Sequence, residues 1–126
     1  MILLWIAFGG ALGAVARYSL GGWVHSSMGM RFPWGTLVVN LVGSLLIGLL
    51  IRGLDGSAVA PEMRAFLTIG LLGAFTTFSA YTFETVELMR AGQSRLAALY
   101  SLGSLGLGIV AVYAGLLVGT LLFQRS

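Results

Sequence analysis

Residues 73–84, Gly73-Ala74-Phe75-Thr76-Thr77-Phe78-Ser79-Ala80-Tyr81-Thr82-Phe83-Glu84, decide how this chain is read. They set hydroxyls, aromatic rings and a carboxylate inside an otherwise apolar sequence. Polar atoms at membrane depth are costly unless they find partners or meet a passing solute. The stretch is therefore a candidate permeation site.

Its surroundings support that depth. The 126 residues are 58% hydrophobic and only 9% charged, with a mean hydropathy of +0.98. A water-soluble domain carries about 25% charged residues, so this chain cannot cover itself with polar surface and belongs in a bilayer. Its length suits a single membrane domain, residues 1–126, with no soluble module. The absence of cysteine excludes a disulfide framework and a thiolate metal site. Seven arginines and no lysine stand against four acids, for a net charge of +3. The arginines are scattered singly, which is a poor phosphate-binding footprint and argues against nucleic acid as a partner. Residues 1–16 are apolar and end in small residues, but no basic residue precedes them. A retained first span is expected there rather than a cleaved signal.

Four apolar stretches are expected to cross the membrane, at about residues 2–24, 32–52, 62–90 and 95–123. Each exceeds the ~20 residues that cross a ~30 Å hydrocarbon core. Pro33 suits the first turn of the second helix, where its missing N–H has no partner to lose. Small residues recur at spacing four, as in Gly9 with Gly13 and Ala111, Gly115 and Gly119. Such stripes let helix backbones approach closely; packing within one chain and packing between two chains fit them equally.

The third stretch reads as a broken helix. Residues 62–90 centre near Thr76, where Gly70, Gly73, Phe75, Thr76 and Thr77 gather, a mixture poor in helix formers. A break there frees backbone carbonyls at mid-membrane, which must find an ion, water or a donor. The alternative is an unbroken helix whose threonines bond back to their own turn. Oxygen-only ligation with no carboxylate close by suits a hard monovalent cation such as Na⁺. Glu84 lies about 12 Å beyond the midpoint by helical rise, placed to pair with Arg17 or to line a vestibule. Glu87 lies further out as a solvated charge.

Polar lines also run along the neighbouring spans. Thr36, Asn40 and Ser44 recur every four residues and share one helix face. Tyr100 and Ser104 do the same on the fourth stretch, where Gly108 and Val112 continue the line without polarity. Asparagine here serves either as interhelical glue or as a ligand donor.

The arginines divide almost evenly between the two sides. Arg52, Arg64 and Arg125 fall on one side; Arg31, Arg90 and Arg95 fall on the other, joined by Arg17 if it reaches that surface. The positive-inside rule needs an excess, so the chain is expected to insert both ways and to form an antiparallel dual-topology homodimer. The expected fold class is thus an all-α membrane protein of four transmembrane helices, the third broken at mid-membrane.

Two motifs make this sequence resemble the Fluc (CrcB) family of fluoride channels. Residues 35–43, Gly35-Thr36-Leu37-Val38-Val39-Asn40-Leu41-Val42-Gly43, are similar to its second-span motif, and residues 73–84 to its third-span motif. Arg17 sits in a family-like Gly-x-x-x-Arg, with a structural role implied. The resemblance implies two pores in an antiparallel homodimer with a central structural Na⁺, in the cell (inner) membrane. Carried over by residue, Gly73 and Thr76 would hold Na⁺ through backbone carbonyls. Asn40 would donate to fluoride and Phe78 would present its ring edge. Tyr100 and Ser104 would continue the polar track, with Thr36, Ser79 and Glu84 along the same path. Tyr81 stands where the family usually has a second phenylalanine, which adds a hydroxyl to that site.

The resulting expectation is a passive channel that lets F⁻ leave the cytoplasm, with no enzyme chemistry. Two other functions compete. A small proton-coupled multidrug exporter would need a central carboxylate, yet the first span has none. A membrane assembly subunit without transport would not need three polar lines.

Overall fold

The structure, a computed structural model, describes residues 1–123; Arg125, part of the charge balance above, lies outside the described residues. Seven helical pieces follow in order: α1 (Ile2–Met28), α2 (Trp34–Leu54), α3 (Pro61–Ala65), a π-helical segment (Phe66–Leu72), α4 (Gly73–Phe75), α5 (Phe78–Arg90) and α6 (Ser94–Phe123). The pieces from Pro61 to Arg90 form one interrupted span, so four helical stretches are long and apolar enough to cross a membrane.

The boundaries differ from those expected at several ends, each for a local reason. α1 runs on past Val24 to Met28 because Ser26 and Ser27 return their hydroxyls to Trp23 O, 2.9 Å each, instead of breaking the helix. Pro33 stands at the cap of α2 rather than in its first turn. Pro61 does take the first helical position of α3, where no N–H is required. At the end of α2, Arg64 Nη2 donates to Leu54 O at 2.7 Å and satisfies a terminal carbonyl.

The third span is broken where its composition is weakest. Thr76 (φ −84°, ψ 157°) and Thr77 (φ −146°, ψ 122°) are extended, and α5 starts afresh at Phe78. Thr77 caps this new helix, its Oγ1 accepting from Ala80 N at 3.3 Å. The two halves then rest on different neighbours: α3, the π segment and α4 pack on α1, whereas α5 packs on α6. The chain crosses α2 between them. Gly43 permits that crossing, because a Cβ there would collide with the Thr76 side chain.

α2 packs most extensively on α6. The glycine stripes of α1 and α6 serve contacts within the chain: Gly13 lies against the Leu71 backbone and Gly115 against the Leu45 carbonyl. Few side chains are buried; among them Val39, Leu72, Phe75 and Tyr100 lie at the seams around the break. Much of the large apolar surface, such as Leu99, Leu102 and Leu105 on α6, faces outward. Such a surface suits hydrocarbon or a second membrane chain.

Candidate functional site

The site is built where α2, the break and α6 converge. On α2, the Asn40 carboxamide grips the backbone of Thr77: Nδ2 donates to Thr77 O at 3.0 Å, and Oδ1 accepts from Thr77 N at 2.8 Å. Thr77 N is the donor that a continuous helix would send to Gly73 O. Ala80 N, the corresponding donor for Thr76 O, is taken by Thr77 Oγ1. The break therefore releases the carbonyls of Gly73 and Thr76 from the helical ladder. The glue and ligand roles open to Asn40 are partly decided: its oxygen and one N–H are committed, leaving one N–H free.

One turn earlier on α2, Thr36 Oγ1 donates to Glu84 Oε1 at 2.7 Å. Tyr100 on α6 donates its hydroxyl to Glu84 Oε2 at 2.6 Å. The carboxylate thus joins the polar lines of both neighbouring helices. The pairing of Glu84 with Arg17 that spacing allowed does not form; the ion pairs among the described residues are Arg52–Asp55 at 3.5 Å and Arg90–Glu87 at 3.0 Å. Two hydroxyl donors already satisfy Glu84, and a guanidinium is not needed to hold it. Arg17 instead lines the same cavity as Glu84 and Arg31, which places it with the charges of that side.

Aromatic rings connect these groups. Phe78 and Tyr81 have centroids 5.6 Å apart, Tyr81 and Tyr100 5.5 Å, and Tyr100 meets Phe32 edge to face at 5.5 Å. Tyr100 is 1% exposed, whereas Phe78 is 76% exposed. The hydroxyl that distinguishes Tyr81 from phenylalanine has a definite use, donating to Ser101 O on α6 at 2.8 Å. It leaves the ring in place and ties α5 to α6.

Two cavities flank the break, and Thr77 is in the wall of both. One, of about 820 Å³, is bordered by Arg17, Arg31, Thr36, Glu84 and Glu87. The other, of about 660 Å³, is bordered by Asn40, Gly73, Thr76, Phe78, Tyr81 and Ser104. Buried Tyr100 links them, touching Glu84 on one side and Tyr81 on the other. Ser104 Oγ is buried without a hydrogen-bond partner. Ser79 is peripheral, its hydroxyl 3.4 Å from Thr77 Oγ1.

The sequence-derived site residues are thus gathered around one line of polar groups, with Arg17 in the cavity of about 820 Å³. Thr77 was missed as a site residue; its hydroxyl three residues before Ala80, at a helix restart, was the signal that marks a cap. Ser101 contributes only a carbonyl, which no side-chain pattern announces.

Three relatives that bear the name fluoride-specific ion channel FluC match almost end to end. The protein of Thermus thermophilus is 50% identical over 117 residues, covering 92% of this chain and 91% of its own length. That of Acidobacterium capsulatum is 46% identical over 120 residues, covering 94% and 96%. That of Magnetococcus marinus is 47% identical over 123 residues, covering 97% and 100%. The family described as CrcB-like protein, Camphor Resistance (CrcB), matches residues 4–116, and the chain belongs to that family.

Proposed function

We propose that this chain is a passive, fluoride-selective channel of the inner membrane that lowers cytoplasmic fluoride. The carrying observation is the near end-to-end match to proteins named fluoride-specific ion channels. The line of hydroxyl, amide and aromatic groups joining two cavities gives that match a physical basis. A small anion needs such donors, because stripping its water without replacement costs tens of kcal/mol. Arg17 and Arg31 raise the local anion concentration in the larger cavity. Thr36 and Tyr100 stand along the path with Glu84, to which each gives its one hydroxyl proton. The free N–H of Asn40, the positive ring edges of Phe78 and Tyr81, and the Ser104 hydroxyl follow on the other side. The membrane potential, negative inside, drives the anion outward, so no energy-coupling site is required.

The working unit in this reading is an antiparallel homodimer inserted in dual topology, supported by the exposed apolar faces and the evenly divided arginines. A structural Na⁺ belongs to the same proposal. Among the described residues no cluster of His, Cys, Asp or Glu suits a metal. A cation at the break would be held by carbonyl oxygens, and Gly73 and Thr76 fit this, having lost their ladder donors to Asn40 and Thr77. Na⁺ bound there would neutralise carbonyl dipoles at the break; the chain itself orients them. The multidrug-exporter alternative needs a carboxylate free to trade protons, and Glu84 is held by two hydroxyls.

The test is ion efflux from liposomes containing the purified protein. Fluoride efflux with chloride retained is the expected result; equal chloride efflux, or none of either, refutes the function. Cross-linking and accessibility of tagged termini test the dimer. Flux and thermal stability after exchange of Na⁺ for a bulky organic cation test the metal.

A further inference from the structure

The polar line on α2 has three members, and the structure commits two of them. Thr36 is bound to Glu84, and Asn40 is bound to Thr77. Ser44, one turn further along the same face, makes no hydrogen bond among the described residues. Several helical hydroxyls bond back one turn, as Thr68 does to Arg64 O, Thr85 to Tyr81 O and Thr120 to Leu116 O. Ser44 does not take that option.

Across the cavity of about 660 Å³, Ser104 on α6 carries the other uncommitted hydroxyl. Both serines line this one cavity, among Ile47, Leu105 and Ile109. The next α6 position facing the space is Gly108, and a Cβ built there would sit 3.8 Å from Ser44 Oγ. Gly108 therefore leaves open the space that the Ser44 hydroxyl points across. Without Ser44, an anion leaving Asn40 and Phe78 would meet a hydroxyl only from the α6 wall, at Ser104.

The geometry points to Ser44 as a further hydroxyl donor on the ion path, opposite Ser104 and past Asn40, supplying from α2 the polarity that Gly108 and Val112 withhold on α6. This rests on the fluoride-channel reading of the same site. A purely space-filling Ser44 would tolerate loss of its oxygen, so the two roles differ in a measurable way.

The experiment is fluoride and chloride efflux from liposomes with the parent protein, Ser44→Ala, Ser44→Thr and the pair Ser44→Ala with Gly108→Ser. Thermal stability in detergent is measured alongside. Losing one hydroxyl donor is expected to slow fluoride efflux about tenfold in Ser44→Ala, with thermal stability unchanged. Ser44→Thr should keep most of the rate. Gly108→Ser, returning a hydroxyl from the opposite wall into the same space, should restore most of what Ser44→Ala loses. A parental rate in Ser44→Ala overturns the proposal, as does a slow Ser44→Ala that neither threonine nor Gly108→Ser corrects. If the parent protein itself passes no fluoride, or passes chloride equally, the channel reading fails first; a selective parent with an indifferent Ser44 removes this inference alone.

Discussion

Asn40 and Thr77, 37 residues apart, are joined by two hydrogen bonds that together replace one turn of helix. The asparagine side chain acts as a peptide group, donating to Thr77 O and accepting from Thr77 N. A broken helix inside a bilayer is tolerable only when its freed backbone groups are satisfied by protein, water or ion. Asn40 satisfies both groups of the residue at the break.

Asn40→Asp tests this pairing. A carboxylate accepts from Thr77 N but cannot donate to Thr77 O, and it sets a charge against that carbonyl. We expect fluoride efflux to fall more than tenfold, with a loss of about 1–3 kcal/mol in stability from the orphaned carbonyl. Liposome flux and thermal unfolding in detergent read the two effects separately.

Glu84 should behave as one unit with Thr36 and Tyr100, since each donates to a different oxygen of the same carboxylate. Thr36→Val and Tyr100→Phe each remove one donor and leave the other in place. The double variant should be non-additive, with a coupling of about 0.5–3 kcal/mol in unfolding free energy. Strict additivity would mean the carboxylate is not shared as the structure shows.

Tyr81 separates ring from hydroxyl. Tyr81→Phe keeps the ring between Phe78 and Tyr100 and loses the bond to Ser101 O. It should cost about 1 kcal/mol of stability and leave fluoride selectivity intact. Tyr81→Ile, which removes the ring edge, should cut fluoride flux sharply. Equal flux in the two variants would contradict a role for the ring.

Gly48 lies in a tight part of the α2–α6 seam. A Cβ there would run into the Val112 carbonyl oxygen, and backbone cannot swing aside as a side chain can. Gly48→Ala should therefore destabilise by about 1–3 kcal/mol, seen as a lower thermal midpoint. Gly22→Ala, where nothing lies within 4 Å of the new atom, is the matched control and should be nearly neutral.

Some of this was legible in the residues themselves. The break was visible because Gly70, Gly73, Thr76 and Thr77 crowd the middle of a 30-residue span, and poor helix formers at mid-membrane need a reason. The π segment was not visible. Its residues, Phe66-Leu67-Thr68-Ile69-Gly70-Leu71-Leu72, are ordinary for a membrane helix, and the extra residue per turn reflects how that segment seats against Gly9 and Gly13 of α1. Arg17 and Glu84 invited pairing by depth, but the hydroxyls of Thr36 and Tyr100 hold the carboxylate.

Hydropathy and the rise of a helix are enough to give the solvent, the number of spans and the depth of each polar atom. Composition also marked residues 73–84 as the stretch where a regular helix would fail. Which polar atoms the protein uses on itself emerges from how the helices pack. Thr36, Asn40 and Tyr81 are bound to other spans, while Ser44 and Ser104 remain unbound at one cavity. Lipid and neighbouring helices are equally apolar, so hydrophobic pattern does not say which faces meet. Close glycine contacts set the helix packing, and the packing sets which hydroxyls are left for a passing ion.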